Sequence, residues 1–95
     1  MIVVFVRMIV KPGTEEECTR LSRKMTEESR KEAGCVQYAT YQSRENSRCF
    51  AVYEQYVDQV ALDVHRTSPH FERYIRDGVY ALIESSTFEV FVPLS

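Results

Sequence analysis

From Ile2 to Val10 the chain reads Ile-Val-Val-Phe-Val-Arg-Met-Ile-Val, apolar at every position but Arg7. A β-branched and aromatic run without alternation predicts a strand covered on both faces. Lys11-Pro12-Gly13 ends it. The pattern then turns helical, with Cys18, Leu21 and Met25 recurring among Glu, Arg and Lys. Thr14 and Glu17 have the spacing of a capping box, Glu15, Glu16 and Glu17 complement the helix dipole, and Gly34 offers a left-handed stop. Val36–Ser43 and Cys49–Tyr56 read as two strands joined by the short loop Arg44–Arg48. Asp58 is placed to cap the next helix, with Val57 set to staple against Leu62. Ser68-Pro69 restarts the helix with proline at its favoured first position. Phe71, Tyr74, Ile75, Gly78, Leu82 and Ile83 follow on one helical stripe. Thr87 to Leu94 closes the chain as a strand in which Phe88, Val90 and Val92 alternate with Glu89 and Phe91.

The order β-α-β-β-α-β predicts an α+β, ferredoxin-like domain over residues 1–95, with an antiparallel sheet and both helices on one face. The other face keeps apolar and aromatic side chains from strands one, three and four. Covering it with a second copy predicts a homodimer with a large apolar interface.

Composition narrows the partners. Ninety-five residues suit one domain with a modest core. The net charge of −2 and the pI near 5.7 give no basic stripe for nucleic acid. The basic residues of 20–31 are matched by Glu15, Glu16, Glu17, Glu27, Glu28 and Glu32, the pattern of a solvated helix face. Cys18, Cys35 and Cys49 show neither CxxC spacing nor an even count, which argues against a disulfide framework or zinc site and for a reducing, cytoplasmic setting. The apolar start is too short to span a membrane and lacks the basic flank and cleavage site of a signal peptide.

Candidate chemistry concentrates between Tyr53 and Phe71, which hold both histidines of the chain. Glu54 shares a strand face with Phe50 and Val52, so its carboxylate is either a buried acid or base or the partner of Arg7 or a helix residue. His65, near a helix C-terminus, is either a proton-transfer group or a histidine satisfied by backbone carbonyls. His70, in a first helical turn, is either a neutral hydrogen-bonding group or a packing residue. Tyr56 shares Glu54's face and is expected at the ligand, while Phe71 and Tyr74 either wall a pocket or belong to the core. Arg7 interrupts an apolar strand and calls for an anion: Glu54, a carboxylate of the dimer mate, or a substrate oxyanion. Glu54, His65 and His70 lack metal-ligand spacing, and no cysteine has a histidine nearby, so neither a metal nor a cysteine nucleophile is expected.

The run Ile2–Val10, Gly34-Cys35 before Tyr38, Phe50-Ala51-Val52-Tyr53-Glu54-Gln55-Tyr56, Asp58 to His65 and Ser68-Pro69-His70-Phe71 together resemble an antibiotic biosynthesis monooxygenase (ABM) domain. The resemblance implies a dimeric α+β barrel. It implies one of several activities: oxidation of quinols or aromatic polyketides by molecular oxygen without metal or flavin, haem degradation, or isomerisation of a phosphorylated autoinducer-2 signal. The chain has no Trp and carries Arg7 where a pocket Asn is expected, against the haem-degrading branch. Tyr56 stands where the oxygenases often place Trp. The resemblance thus implies a small-molecule enzyme without cofactor, a monooxygenase of a quinol or polyketide-like substrate. Glu54, His65 and Tyr56 would be its catalytic residues, and His70, Arg7, Phe71 and Tyr74 its substrate contacts. An isomerase of the phospho-autoinducer-2 type and a non-catalytic dimeric binding module are the alternatives.

Overall fold

The computed structural model describes residues 1–95. The strands β1 (Ile2–Val10), β2 (Cys35–Gln42), β3 (Cys49–Tyr56) and β4 (Ile83–Phe91) form one antiparallel sheet in the order β2-β3-β1-β4. Helix α1 (Glu15–Ser29) joins β1 to β2. Helix α2 (Gln59–Arg66) and a second helix, α3 (Phe71–Val79, with a last turn Tyr80–Leu82), join β3 to β4. This is the ferredoxin-like architecture the order of elements predicts.

Register decides what each face holds. Val4 pairs with Glu54 and Val90, Val6 with Val52 and Phe88, and Met8 with Phe50. Tyr38 pairs with Glu54 on the other side of β3. These side chains share the face under the helices, where Met8, Val10, Phe50 and Val52 meet Cys18, Leu21, Met25 and Val79 in the main core. A smaller cluster of Val4, Tyr56 and Leu62 fills the α2 end. On the outer face, Phe5 sits edge-on to both Tyr53 and Phe91, each 5.3 Å away between centroids. Phe5 and Tyr41 are exposed, so the strand that looked covered on both faces is covered on one.

Several local expectations give way to tertiary structure. Thr14 occupies the N-cap position of α1, but its hydroxyl donates to the Lys11 carbonyl at 2.6 Å, and Glu17 pairs with Arg20 at 2.6 Å instead of reaching back. No capping box forms. Helix α1 ends at Ser29 with a right-handed Arg30, and Gly13 at φ +84° is the single residue of positive φ. Gly34 therefore does not stop the helix by a left-handed turn. It permits close approach: a Cβ there would lie 2.4 Å from the Ala61 Cβ on α2, which locks the α1–β2 turn against α2. Asp58 caps α2 as expected, its carboxylate accepting from the Ala61 N–H at 2.9 Å. Val57 remains exposed and lies toward Gly34 rather than in a buried staple. Along α3 the turns are wide, and the Tyr80 N–H reaches back five residues to the Ile75 carbonyl. Strand β4 starts at Ile83 and ends at Phe91, because its ladder to β1 runs from Val10–Ile83 to Val3–Phe91. Ile83 is thus a strand residue, and Val92 to Leu94 lie beyond the sheet.

Candidate active site

A cavity of about 450 Å³ lies between the inner sheet face and α3. Val4, Val6 and Met8 of β1 form its floor, Phe71, Ile75 and Val79 its helical wall, and Phe88 of β4 its edge. Glu54, His65 and the Tyr38 phenol are its buried ionisable groups. Its size falls within the range of small-molecule sites, which combine apolar walls with few polar groups.

Glu54 reaches the cavity through strand alternation: Phe50, Val52, Glu54 and Tyr56 all point under the helices, and each is buried. Burial is the main cause that raises the Glu54 carboxyl above the ordinary range. The Tyr56 hydroxyl donates to Glu54 Oε1 at 2.6 Å and opposes that rise, as do the charges of His65 and Arg66. Burial, then the adjacent Glu54, raise the Tyr56 phenol above its ordinary value. The phenol therefore stays a hydrogen-bond donor.

His65 is the last buried residue of α2 and only 2 % exposed. Its ring lies among Tyr38, Tyr56 and Phe71, with centroids 5.6, 5.2 and 5.4 Å away. Ser68 fixes the connection that follows. Its hydroxyl donates to the His65 carbonyl at 2.7 Å and accepts from the Phe71 N–H at 3.2 Å. His65 Nε2 lies 3.5 Å from Glu54 Oε1, and Nδ1 lies 2.8 Å from Glu32 Oε2. The same Glu32 oxygen is 2.5 Å from His70 Nε2.

Glu32 is the residue sequence reasoning missed. Grouped with the charged face of α1, it in fact lies past the helix, in the turn that Gly34 presses onto α2. Its side chain is 10 % exposed, and its Oε1 is buried without a hydrogen-bond partner. The available signal was its place two residues before a glycine, outside the apolar spacing of α1. A carboxylate accepting from both imidazoles assigns the protons: His65 carries one on Nδ1, His70 on Nε2. His65 then turns Nε2 toward Glu54. Tyr56, Glu54, His65, Glu32 and His70 thus lie in line, hydrogen-bonded except for the 3.5 Å approach of His65 to Glu54, and end at a histidine whose side chain is 19 % exposed.

Donor atoms of Glu32, His65 and His70 all lie within 4.8 Å of one another, so these three could hold a cation. The 2.8 and 2.5 Å separations within the group are shorter than the roughly 3.3 Å between ligand atoms of tetrahedral zinc. They are the spacings of hydrogen bonds.

The remaining expected site residues divide. Phe71 walls the cavity. Tyr56 lies behind Glu54, fully buried and off the cavity surface, and hydrogen-bonds the carboxylate. His70 joins through Glu32. Tyr74 faces the groove between α1 and α3 beside Arg20 and Asp77. Arg7 pairs with Ala51 and Thr87 on the outer sheet face and is exposed. It cannot reach Glu54, whose neighbour on β1 is Val4, and within one copy of the chain it is open to solvent without an ion pair.

The pattern of the antibiotic biosynthesis monooxygenases matches residues 1–77, the stretch that carries Glu32, Glu54, His65 and His70. The chain belongs to the antibiotic biosynthesis monooxygenase family. Among similar solved structures is PA3566 from Pseudomonas aeruginosa, 33 % identical with a TM-score of 0.90, covering 99 % of this chain and 94 % of that one. Rv0793 from Mycobacterium tuberculosis is 30 % identical with a TM-score of 0.90, covering 99 % and 95 %. A Synechocystis protein, sll1783, is 30 % identical over 90 residues, 95 % of this chain. The chain spans 61 % of that relative's length. Within this antibiotic biosynthesis monooxygenase domain, the matched segment carries Tyr56, Glu54, His65, Glu32 and His70. The cavity's rim at Tyr80, Ser86, Thr87 and Phe88 lies past it. No helix is long and apolar enough to cross a membrane.

Proposed function

We propose that the protein is a cofactor-independent monooxygenase acting on a quinol or an aromatic polyketide-like hydroxyl compound. The observation that carries this reading is Glu54, a buried carboxylate at the wall of an apolar cavity, beside a histidine oriented by a second carboxylate. Two relatives point the same way by name, "Putative monooxygenase Rv0793" and "Putative monooxygenase YcnE" of Bacillus subtilis.

In this reading Glu54 or His65 Nε2 takes the proton of a substrate hydroxyl. The resulting oxyanion is electron-rich enough to pass one electron to molecular oxygen. The two radicals combine into a carbon-bound hydroperoxide, whose distal oxygen receives the abstracted proton. Loss of the ring C–H proton and cleavage of the O–O bond then give a quinone and water. One oxygen atom enters the product, the other leaves as water, and the substrate supplies all the electrons. The protein contributes a base of raised pKa, walls that exclude water, and orientation. The Glu32–His70 pair returns protons toward solvent.

Oxygen uptake with model hydroquinones and anthrone-like phenols tests the reading. One O₂ consumed per quinone formed, with label from ¹⁸O₂ in the product, is the expected result. No uptake, with anaerobic conversion of a phosphorylated ketose, would replace it with the isomerase reading, which uses the same proton-transfer groups. Binding without turnover would leave a dimeric binding module.

We also propose that two copies pack through the outer sheet face. Phe5, Tyr41 and Phe91 are 49, 55 and 41 % exposed there, an aromatic patch that a partner sheet would cover. Sedimentation should give a dimer for the native chain and a monomer for Phe5→Asp. A native monomer at tens of micromolar would refute the proposal.

A further inference from the structure

The proton chain leaves two charged residues of the cavity unused. Arg66, the last residue of α2, and Arg76 of α3 both line it. Neither forms an ion pair, as is true of most basic residues of the chain, but these two are the ones that line the cavity. The Arg66 guanidinium carbon stands 5.3 Å from the centroid of the Phe88 ring, and that of Arg76 stands 5.8 Å from the Phe71 ring. Both rings belong to the cavity lining. At these distances each ring attracts its cation without using the guanidinium N–H donors in a charge pair.

Their setting makes these groups selective. Eleven of the 17 lining residues are hydrophobic. A neutral apolar ligand that filled the space would take water from the half-buried Arg66 and return nothing, which is costly, while the exposed Arg76 keeps solvent. A ligand with an anionic group would gain from either guanidinium, since the planar fork of each matches carboxylate and phosphate oxygens. Arg66 is also close enough to Glu54 for its charge to stabilise the carboxylate, so the anion and the reacting oxygen would lie on one small molecule.

Resting on the monooxygenase reading of the cavity, we infer that its ligand is a flat aromatic molecule bearing one anionic group, a carboxylate or a phosphate. Arg66 and Arg76 hold that group at the rim while a hydroxyl reaches Glu54 and His65. This narrows a quinol or polyketide class to its acidic members.

Calorimetric titration of the full chain with 1-naphthol, 1-hydroxy-2-naphthoate and 1-naphthyl phosphate tests this. At least one anionic probe should bind about tenfold or more tightly than 1-naphthol, as charge-assisted bonds provide. Which anion leads identifies the group. The advantage should shrink with added salt, fall in Arg66→Gln or Arg76→Gln, and vanish in the double variant. Arg66→Lys, which keeps the charge, should retain part of it and so separates charge from lost packing on Phe88. Equal binding of 1-naphthol and both anions, or an advantage that survives the double variant, overturns the inference and leaves the monooxygenase reading standing. Anionic preference without oxygen uptake overturns the monooxygenase reading alone. Failure of all three probes to bind overturns both.

Discussion

Glu54→Gln should lower turnover by about a hundred- to ten-thousand-fold, the usual worth of a positioned acid or base, and should raise thermal stability at neutral pH. Both effects come from one cause. Glutamine keeps the shape and an acceptor for the Tyr56 hydroxyl, which lies 2.6 Å from Glu54 Oε1, but it cannot take a proton. Burial raises the Glu54 carboxyl above its ordinary range, so the folded state holds that proton more tightly than the unfolded chain does. Stability from this group is complete below the ordinary carboxyl pKa and is lost as pH rises through the raised value. The variant escapes that loss, so its melting temperature should exceed the native one above the raised pKa and converge with it in acid. Melting curves from pH 4 to 8 together with rates at each pH measure both sides. A native-like rate in Glu54→Gln would remove Glu54 as the base. The support from Tyr56 has its own signature. Its hydroxyl lowers the Glu54 pKa, so Tyr56→Phe should move the acid limb of the rate profile to higher pH.

The second large effect is expected at Glu32. Its Oε2 accepts from His65 Nδ1 and His70 Nε2. Glutamine can offer one oxygen to both rings, but a neutral amide accepts more weakly than a carboxylate, and its NH2 group is left buried where Oε1 has no partner. His65 then loses the partner that keeps its proton on Nδ1 and its Nε2 lone pair toward Glu54. Turnover should fall on the order of a hundredfold or more, the scale seen when a catalytic histidine loses its orienting carboxylate. A structural role alone would predict lower stability with an unchanged imidazole. The relay role also predicts a changed ¹⁵N chemical shift pattern at His65, and partial rescue of rate by Glu32→Asp. Unchanged His65 nitrogens and an unchanged kcat in Glu32→Gln would end the relay.

Much of the architecture was legible in the order of residues. β1 and β3 fall where their apolar runs place them, Asp58 caps α2, and the element order yields the ferredoxin-like sheet. These are local facts: period, breaker residues and caps act over a few positions, and each is written in the chain beside the structure it produces. Glu54 as a buried carboxylate was legible in the same way, from the parity it shares with Phe50 and Val52. The element ends were less so. The Thr14 capping box gave way to other local contacts, Thr14 with Lys11 and Glu17 with Arg20, while the Gly34 stop and the start of β4 were overruled by longer-range packing and pairing.

What tertiary structure alone decided was which side chains meet. Parity places Arg7 with Phe5 and Glu54 with Phe50, but only the β1–β3 register, Val4 against Glu54, sends the two charges to opposite faces of the sheet. Glu32 is 33 residues from His65 and 38 from His70, and no period connects them. They meet because Gly34 has no side chain to hold the α1–β2 turn away from α2. Residue pattern determines which elements form and which face each buries, since those depend on near neighbours. The contacts of Glu54, His65, Glu32 and His70 and the placing of Arg66 and Arg76 on one cavity depend on packing between distant elements, and packing geometry is a property of the whole fold.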